Sequence, residues 1–258
     1  MSNGLLQLKY NTPEAEAEFR RAMSGIPEGV ELYIVGGSVR NSLIREFHGQ
    51  DLIQRDYDQV ITKGTKQYEQ YLESLGFIEH AYPSHQDIQT VYNKTLVPGE
   101  ANWDYHDWIV FDMHTMDGTD ITYNIKKFVG FTINGCAIKG QDVLTTPWQD
   151  ALVEVLPGAI QDIKDKKLRL NREGYSKMPS NFYAMLRFMS VGFSAPSPDE
   201  LQLLLNELPN LEHARFERNV QKIWEYVGGE AKARELVRGL GIDLDVFSEE
   251  VVKSMLQT

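Results

Sequence analysis

The sequence predicts an α+β fold: a small mixed β-sheet with helices, followed by an all-helical part. Three observations predict it. A strand, a glycine turn and a helix follow one another from Glu31 to about Phe47. Three β-patterned segments lie between Asp87 and Ile125. After about Leu144 the β pattern fades, and helical spacing dominates from Pro157 to the end. The boundary falls near residues 145 to 157, giving a front domain over 1–150 and a helical domain over 151–258.

The elements can be justified in chain order. Thr12-Pro13-Glu14 supplies an N-cap, a proline at the first helical position and an early acid, which predicts a helix to about Ser24. Gly25 to Gly29 is a loop. Glu31 to Val35 reads as a strand that runs into Gly36-Gly37-Ser38-Val39-Arg40 and a helix. Asp56 to Ile61 is a second strand. Thr65 to Leu75 has helical spacing and stops at Gly76. Gln89 to Tyr92, Trp108 to Phe111 and Asp120 to Tyr123 are strand candidates. Met116-Asp117-Gly118-Thr119 joins the last two as a hairpin turn. The helical part is broken at Pro179, Pro196, Pro198, Pro209 and Gly228-Gly229.

Composition bounds the function. The chain has 258 residues, 42% hydrophobic and 24% charged, as expected of a soluble globular protein. No apolar run reaches bilayer length, so no membrane partner is expected. Met1-Ser2-Asn3-Gly4 lacks a basic segment followed by an apolar one, so no signal peptide is expected and a cytoplasmic protein is the simplest reading. The single cysteine, Cys136, excludes an intramolecular disulfide and a multi-cysteine zinc site. A net charge of −11 argues against broad electrostatic capture of nucleic acid. An RNA partner would have to use a local basic patch.

Chemistry concentrates in two short motifs. Gly36-Gly37 lets the backbone approach a triphosphate, with Ser38 and Arg40 placed to contact its oxygens. The bland alternative is a tight strand-to-helix turn with a solvated Arg40. Arg55-Asp56-Tyr57-Asp58 then puts two carboxylates on one face of a strand, because residues i and i+2 point the same way. Paired carboxylates suit magnesium, and a polyphosphate suits the turn. Their alternative is a strand end with two solvated acids. Lys164, Lys166, Lys167, Arg169 and Arg172 form the dense basic stretch, either a phosphate-backbone contact or a solvated helix face. His80, His85, His106-Asp107 and His114 lack regular ligand spacing and read as scattered histidines rather than a phosphohydrolase site.

Later segments extend the pattern. Phe131-Thr132-Ile133-Asn134-Gly135, Gly158-Ala159-Ile160-Gln161-Asp162-Ile163, Lys167-Leu168-Arg169, Leu186-Arg187-Phe188, Gly192-Phe193 and Phe216-Glu217-Arg218-Asn219-Val220 follow in order. This series resembles the class II CCA-adding enzymes and bacterial poly(A) polymerases, which are template-independent tRNA nucleotidyltransferase-like enzymes acting on RNA 3′ ends. The resemblance covers roughly residues 31 to 228. The family usually continues into longer helical regions than 258 residues hold.

The resemblance implies a nucleotidyltransferase head followed by a helical neck and body, an NTP (ATP or CTP) and an RNA, most naturally a tRNA 3′ end, as partners, and Mg2+ as cofactor. It implies catalytic carboxylates at Asp56 and Asp58, which would hold metal. The third aligns best at Asp120, with Asp112 as the rival. It implies nucleotide contacts from Gly36, Gly37, Ser38, Arg40, Asn134, Lys177, Asn181 and Arg187. Departures accompany it. Asn41 follows Arg40 where the family has Asp. Phe128-Val129-Gly130 stands for the family's Arg-Arg-Asp. Lys177-Met178 and Asn181 stand for Glu-Asp and Arg, the last two of which read base edges in the family. The C-then-C-then-A programme therefore does not simply carry over. Adenylation, single-nucleotide addition and relaxed choice stay open. So do a protein or small-molecule acceptor and a non-catalytic relative.

Overall fold

The computed structural model describes residues 5–6, 8–52, 54, 56–80, 89–96, 108–173 and 179–255. The chain divides into two compact units, Met1–Lys126 with Ile133–Lys164, and Lys127–Thr132 with Asp165–Thr258. No described helix is long and apolar enough to cross a membrane.

The first unit is built on a seven-stranded mixed sheet: β1 (Glu31–Ile34), β2 (Tyr57–Lys63), β3 (Ile78–His80), β4 (Gln89–Thr95), β5 (Trp108–Thr115), β6 (Cys136–Lys139) and β7 (Leu152–Glu154). Their spatial order is β3-β4-β5-β2-β1-β6-β7. β2 and β5 run parallel, and every other neighbouring pair is antiparallel. The helices are α1 (Pro13–Ser24), α2 (Gly36–His48), α3 (Thr65–Ser74), α4 (Ile121–Phe128), α5 (Trp148–Ala151) and α6 (Ala159–Lys164).

Local chemistry accounts for the helix ends. Thr12 Oγ1 accepts the Ala15 N–H at 3.1 Å and caps α1. α2 stops at Gly49, whose φ of 63° is left-handed. Burial then places the elements. α1 buries Ala15, Phe19, Ala22 and Met23, one helical face. Phe19 meets Tyr57 at 4.7 Å between ring centroids and Phe111 at 6.0 Å, and Phe77 stacks on Phe111 at 5.0 Å. Tyr57 and Phe111 are register partners in the parallel pair. Asp58 and Asp112, one residue on, are partners too, and alternation turns them to the opposite face.

One expected strand is a helix. Asp120 to Tyr123 begins α4, where Asp120 Oδ1 accepts the Tyr123 N–H at 2.8 Å. Ile121, Asn124 and Ile125 are buried at helical spacing. The Met116–Gly118 turn therefore leads from β5 into a helix rather than closing a hairpin. β3, β6 and β7 are strands that the sequence pattern did not predict.

The second unit is helical: α7 (Asn181–Ser190), α8 (Pro198–Glu207), α9 (His213–Val227), α10 (Glu230–Gly239) and α11 (Glu249–Ser254). Ser197 and Glu200 form a capping box at α8. Gly228, with φ of 85°, ends α9. Tyr183 meets Phe216 edge-on and donates its hydroxyl to the Val246 carbonyl at 2.9 Å. Residues Lys127–Thr132 belong to this unit. Asn171 Nδ2 donates to the Val129 carbonyl at 2.9 Å, and the Thr132 N–H donates to the Arg169 carbonyl at 3.0 Å.

Candidate active site

β1 ends at the point where its neighbour β2 begins, so the β1–α2 turn abuts the first residues of β2. The Val35 N–H donates to the Asp58 carbonyl at 3.0 Å. The Gly37 N–H, in the first turn of α2, donates to Asp58 Oδ2 at 3.0 Å. Gly36 has a φ of 61°, and a Cβ there would lie 2.3 Å from Asp58 Oδ2. Glycine at 36 is thus required twice, for its conformation and for the carboxylate beside it.

Asp56, Asp58 and Asp112 each offer an oxygen, and these oxygens lie within 4.8 Å of one another. A hard cation with oxygen ligands at about 2.0–2.6 Å spans such a distance. Burial, with the charges of Asp56 and Asp112 alongside, pushes the Asp58 carboxyl up from 3.8 to about 8. The Gly37 N–H and the Arg40 guanidinium pull it the other way without cancelling the rise. A buried acid that resists ionisation, crowded by two further carboxylates, fits a bound cation, whose charge would relieve the repulsion.

A polar network lies behind the carboxylates. Arg40 is only 7% exposed, which overturns the solvated-face alternative. Its Nε and Nη2 donate to Asn41 Oδ1 at 3.1 and 2.8 Å, and its Nη1 donates to Asn134 Oδ1 at 2.6 Å. Ser38 is buried, with its hydroxyl 3.5 Å from the Asp56 carbonyl. Gln54 donates to that carbonyl and to Ser38 Oγ, and it accepts from Asn41.

The expected site residues divide accordingly. Gly36, Gly37, Ser38, Arg40, Asn134, Asp56 and Asp58 share the first unit, linked by these bonds and by the carboxylate cluster. Asp120 is placed differently from the expectation. It caps α4, and the third acid of the cluster is Asp112, because register with β2 carries Asp112 beside Asp58. Asn181 and Arg187 sit on α7 in the second unit. Asn181 lies against Gly130, where a Cβ would come within 2.3 Å of its Oδ1. The Arg187 guanidinium stacks near Phe188 and Tyr226, at 5.0 and 5.2 Å. Lys177, His85 and His106-Asp107 lie outside the described residues. His80 bonds Asn93 at 3.0 Å. Sequence reasoning passed over Gln54, which no motif marks.

No protein-family model and no curated protein matches the sequence. Solved structures do. A CCA-adding enzyme in complex with CTP superposes with a TM-score of 0.61 at 19% identity, over 88% of this chain and 50% of its own. The Thermotoga maritima CCA-adding enzyme complexed with tRNA gives 0.65 at 19% identity, over 89% and 52%. The fold is that of the CCA-adding enzymes. A tRNA-processing enzyme in an apo form gives 0.59 at 19% identity, over 97% and 60%. This chain spans about half to three-fifths of the length of these structures.

Proposed function

We propose that this chain is a metal-dependent nucleotidyltransferase that moves a nucleotide from ATP or CTP to an RNA 3′ end, with a tRNA as the most natural acceptor. The observation that carries this reading is the convergence of Asp56, Asp58 and Asp112 beside the glycine-built first turn of α2. Similarity of fold to CCA-adding enzymes solved with CTP, ATP and tRNA supports it.

Asp56, Asp58 and Asp112 would hold magnesium. Bound there, it supplies charge neutralisation at the triphosphate and a more acidic 3′-hydroxyl. The chain's own groups do the rest. Gly36 leaves the space that a side chain would take beside Asp58. The positive end of α2 favours an anionic ligand such as a polyphosphate. Asn134 and Asn41 hold the Arg40 guanidinium next to that end. The RNA 3′ oxygen attacks the α-phosphorus in line. Its bond forms as the α–β anhydride breaks, pyrophosphate leaves, and the hydroxyl proton passes to solvent. Positioning and charge stabilisation suffice, without a covalent enzyme intermediate.

A second reading keeps the chemistry and changes the acceptor to a protein or small molecule. One observation favours it. The first unit carries 12 basic and 23 acidic residues, and the second carries 14 of each, so neither unit has a net positive charge to gather a nucleic acid. Incubation with magnesium, each labelled NTP singly, and tRNAs ending with or without CCA separates the two. Label confined to truncated tRNA supports the first reading. Inert RNA with label on another acceptor supports the second, and no magnesium-dependent transfer to any acceptor sinks both.

A further inference from the structure

Gln54 belongs to neither motif, yet its amide touches both. It is 3% exposed and lies between the chain entering β2 and the first turns of α2. Its Nε2 donates to the Asp56 carbonyl and, at 3.2 Å, to Ser38 Oγ. Its Oε1 accepts from Asn41 Nδ2 at 3.1 Å.

The polarity of this network is set from one end. A guanidinium has donors only. The Asn41 atom that meets two Arg40 nitrogens is therefore its oxygen. Asn41 must then present its NH2 to Gln54, and Gln54 must answer with its oxygen. That leaves the Gln54 NH2 facing the two acceptors, the Asp56 carbonyl and Ser38 Oγ. A carboxylate at position 41 would offer no donor, and Gln54 would have to turn its NH2 away from Asp56. Asn41 and Gln54 are a matched pair of amides.

The consequence falls on the carboxylates. Asp58 is anchored to α2 by the Gly37 N–H. Asp56 precedes β2 and is anchored to the same helix through Gln54. We propose that Gln54 is a positioning residue for the metal centre: its amide holds the Asp56 backbone against the first turn of α2 and so sets where the Asp56 carboxylate meets Asp58 and Asp112. Its functional meaning rests on the nucleotidyl-transfer reading above.

Manganese binding to the full chain, measured by calorimetry without nucleotide, tests this directly. Steady-state kinetics with magnesium, NTP and RNA accompany it. Gln54→Met keeps the length of the side chain and removes its polar atoms. Mn2+ affinity should fall about tenfold to hundredfold, the cost of losing a partner that orients a ligand. The turnover number should fall in proportion, while KM for NTP moves less than about threefold. A residue that only stabilised the fold would lower the thermal midpoint and leave the Mn2+ affinity of the folded molecules unchanged, which would overturn the proposal. Gln54→Leu supplies the same readings if the first variant fails to fold. Weakened Mn2+ binding in a protein whose wild type transfers no nucleotide would leave Gln54 in this role and sink the transfer reading instead. A wild-type chain that binds no Mn2+ would overturn both.

Discussion

The two faces of the β2–β5 pair make opposite demands on the same backbone. On one face Tyr57 and Phe111, with Phe19 and Phe77, form a buried aromatic cluster. On the other, Asp58 and Asp112 crowd together with Asp56. The first face stabilises the fold by removing apolar surface from water. The second strains it, since burial and like charges push Asp58 up to about 8. Adjacent register positions thus separate holding the sheet together from gathering the carboxylates of the proposed cation site. Stability on the aromatic side tolerates the electrostatic cost on the acidic side.

That contrast can be broken or sharpened by substitution. Asp58→Asn should remove magnesium-dependent transfer to below detection while the metal-free protein melts at the same temperature or higher; a lower melting temperature would contradict the contrast. Asp112→Asn should resemble it, through Asp112's place in the cluster. Phe111→Ala should do the reverse, destabilising the fold by about 3–5 kcal/mol in urea unfolding while turnover per folded molecule persists.

A pH series probes the acidic face alone. The folded pKa of Asp58 lies above its ordinary 3.8, so the folded state binds the extra proton over this range. Its favourable contribution is full below about 3.8 and is lost as pH rises through about 8. The stability of metal-free Asp58→Asn relative to wild type should therefore grow from pH 5 to pH 8. Magnesium should narrow that gap, and urea midpoints that stay parallel at both pH values would count against it. The smallest effect belongs to Asp120→Ala. Loss of the α4 cap should cost about 1 kcal/mol and leave transfer intact.

Much of this was legible in the residues. Thr12-Pro13, the Gly36-Gly37 turn and Gly76 punctuate the chain where helices begin and end, and local capping chemistry acts within a few residues. Asp56 and Asp58 stood out because their spacing is local. The Asp120 segment misled because Ile121, Tyr123 and Ile125 alternate as a strand would, while Ile121, Asn124 and Ile125 also form a helical face. The capping bond from Asp120 settles between the two periods. β6 and β7, four and three residues long, are too short to show alternation. Asp112 and Gln54 acquire their places through contacts between segments distant in sequence, and no single stretch encodes those.

The parallel pairing of β2 with β5 has a kinetic corollary. Its partners are separated by α3 and the β3–β4 strands, so the cluster exists only after that long crossover has closed. Capture of a cation by the three acids would therefore report on closure of the β2–β5 pair. A nascent chain should gain the ion only once Trp108–Thr115 has left the ribosome and docked, so ion affinity would time that pairing, ahead of β6, β7 and the helical unit that follow in the chain.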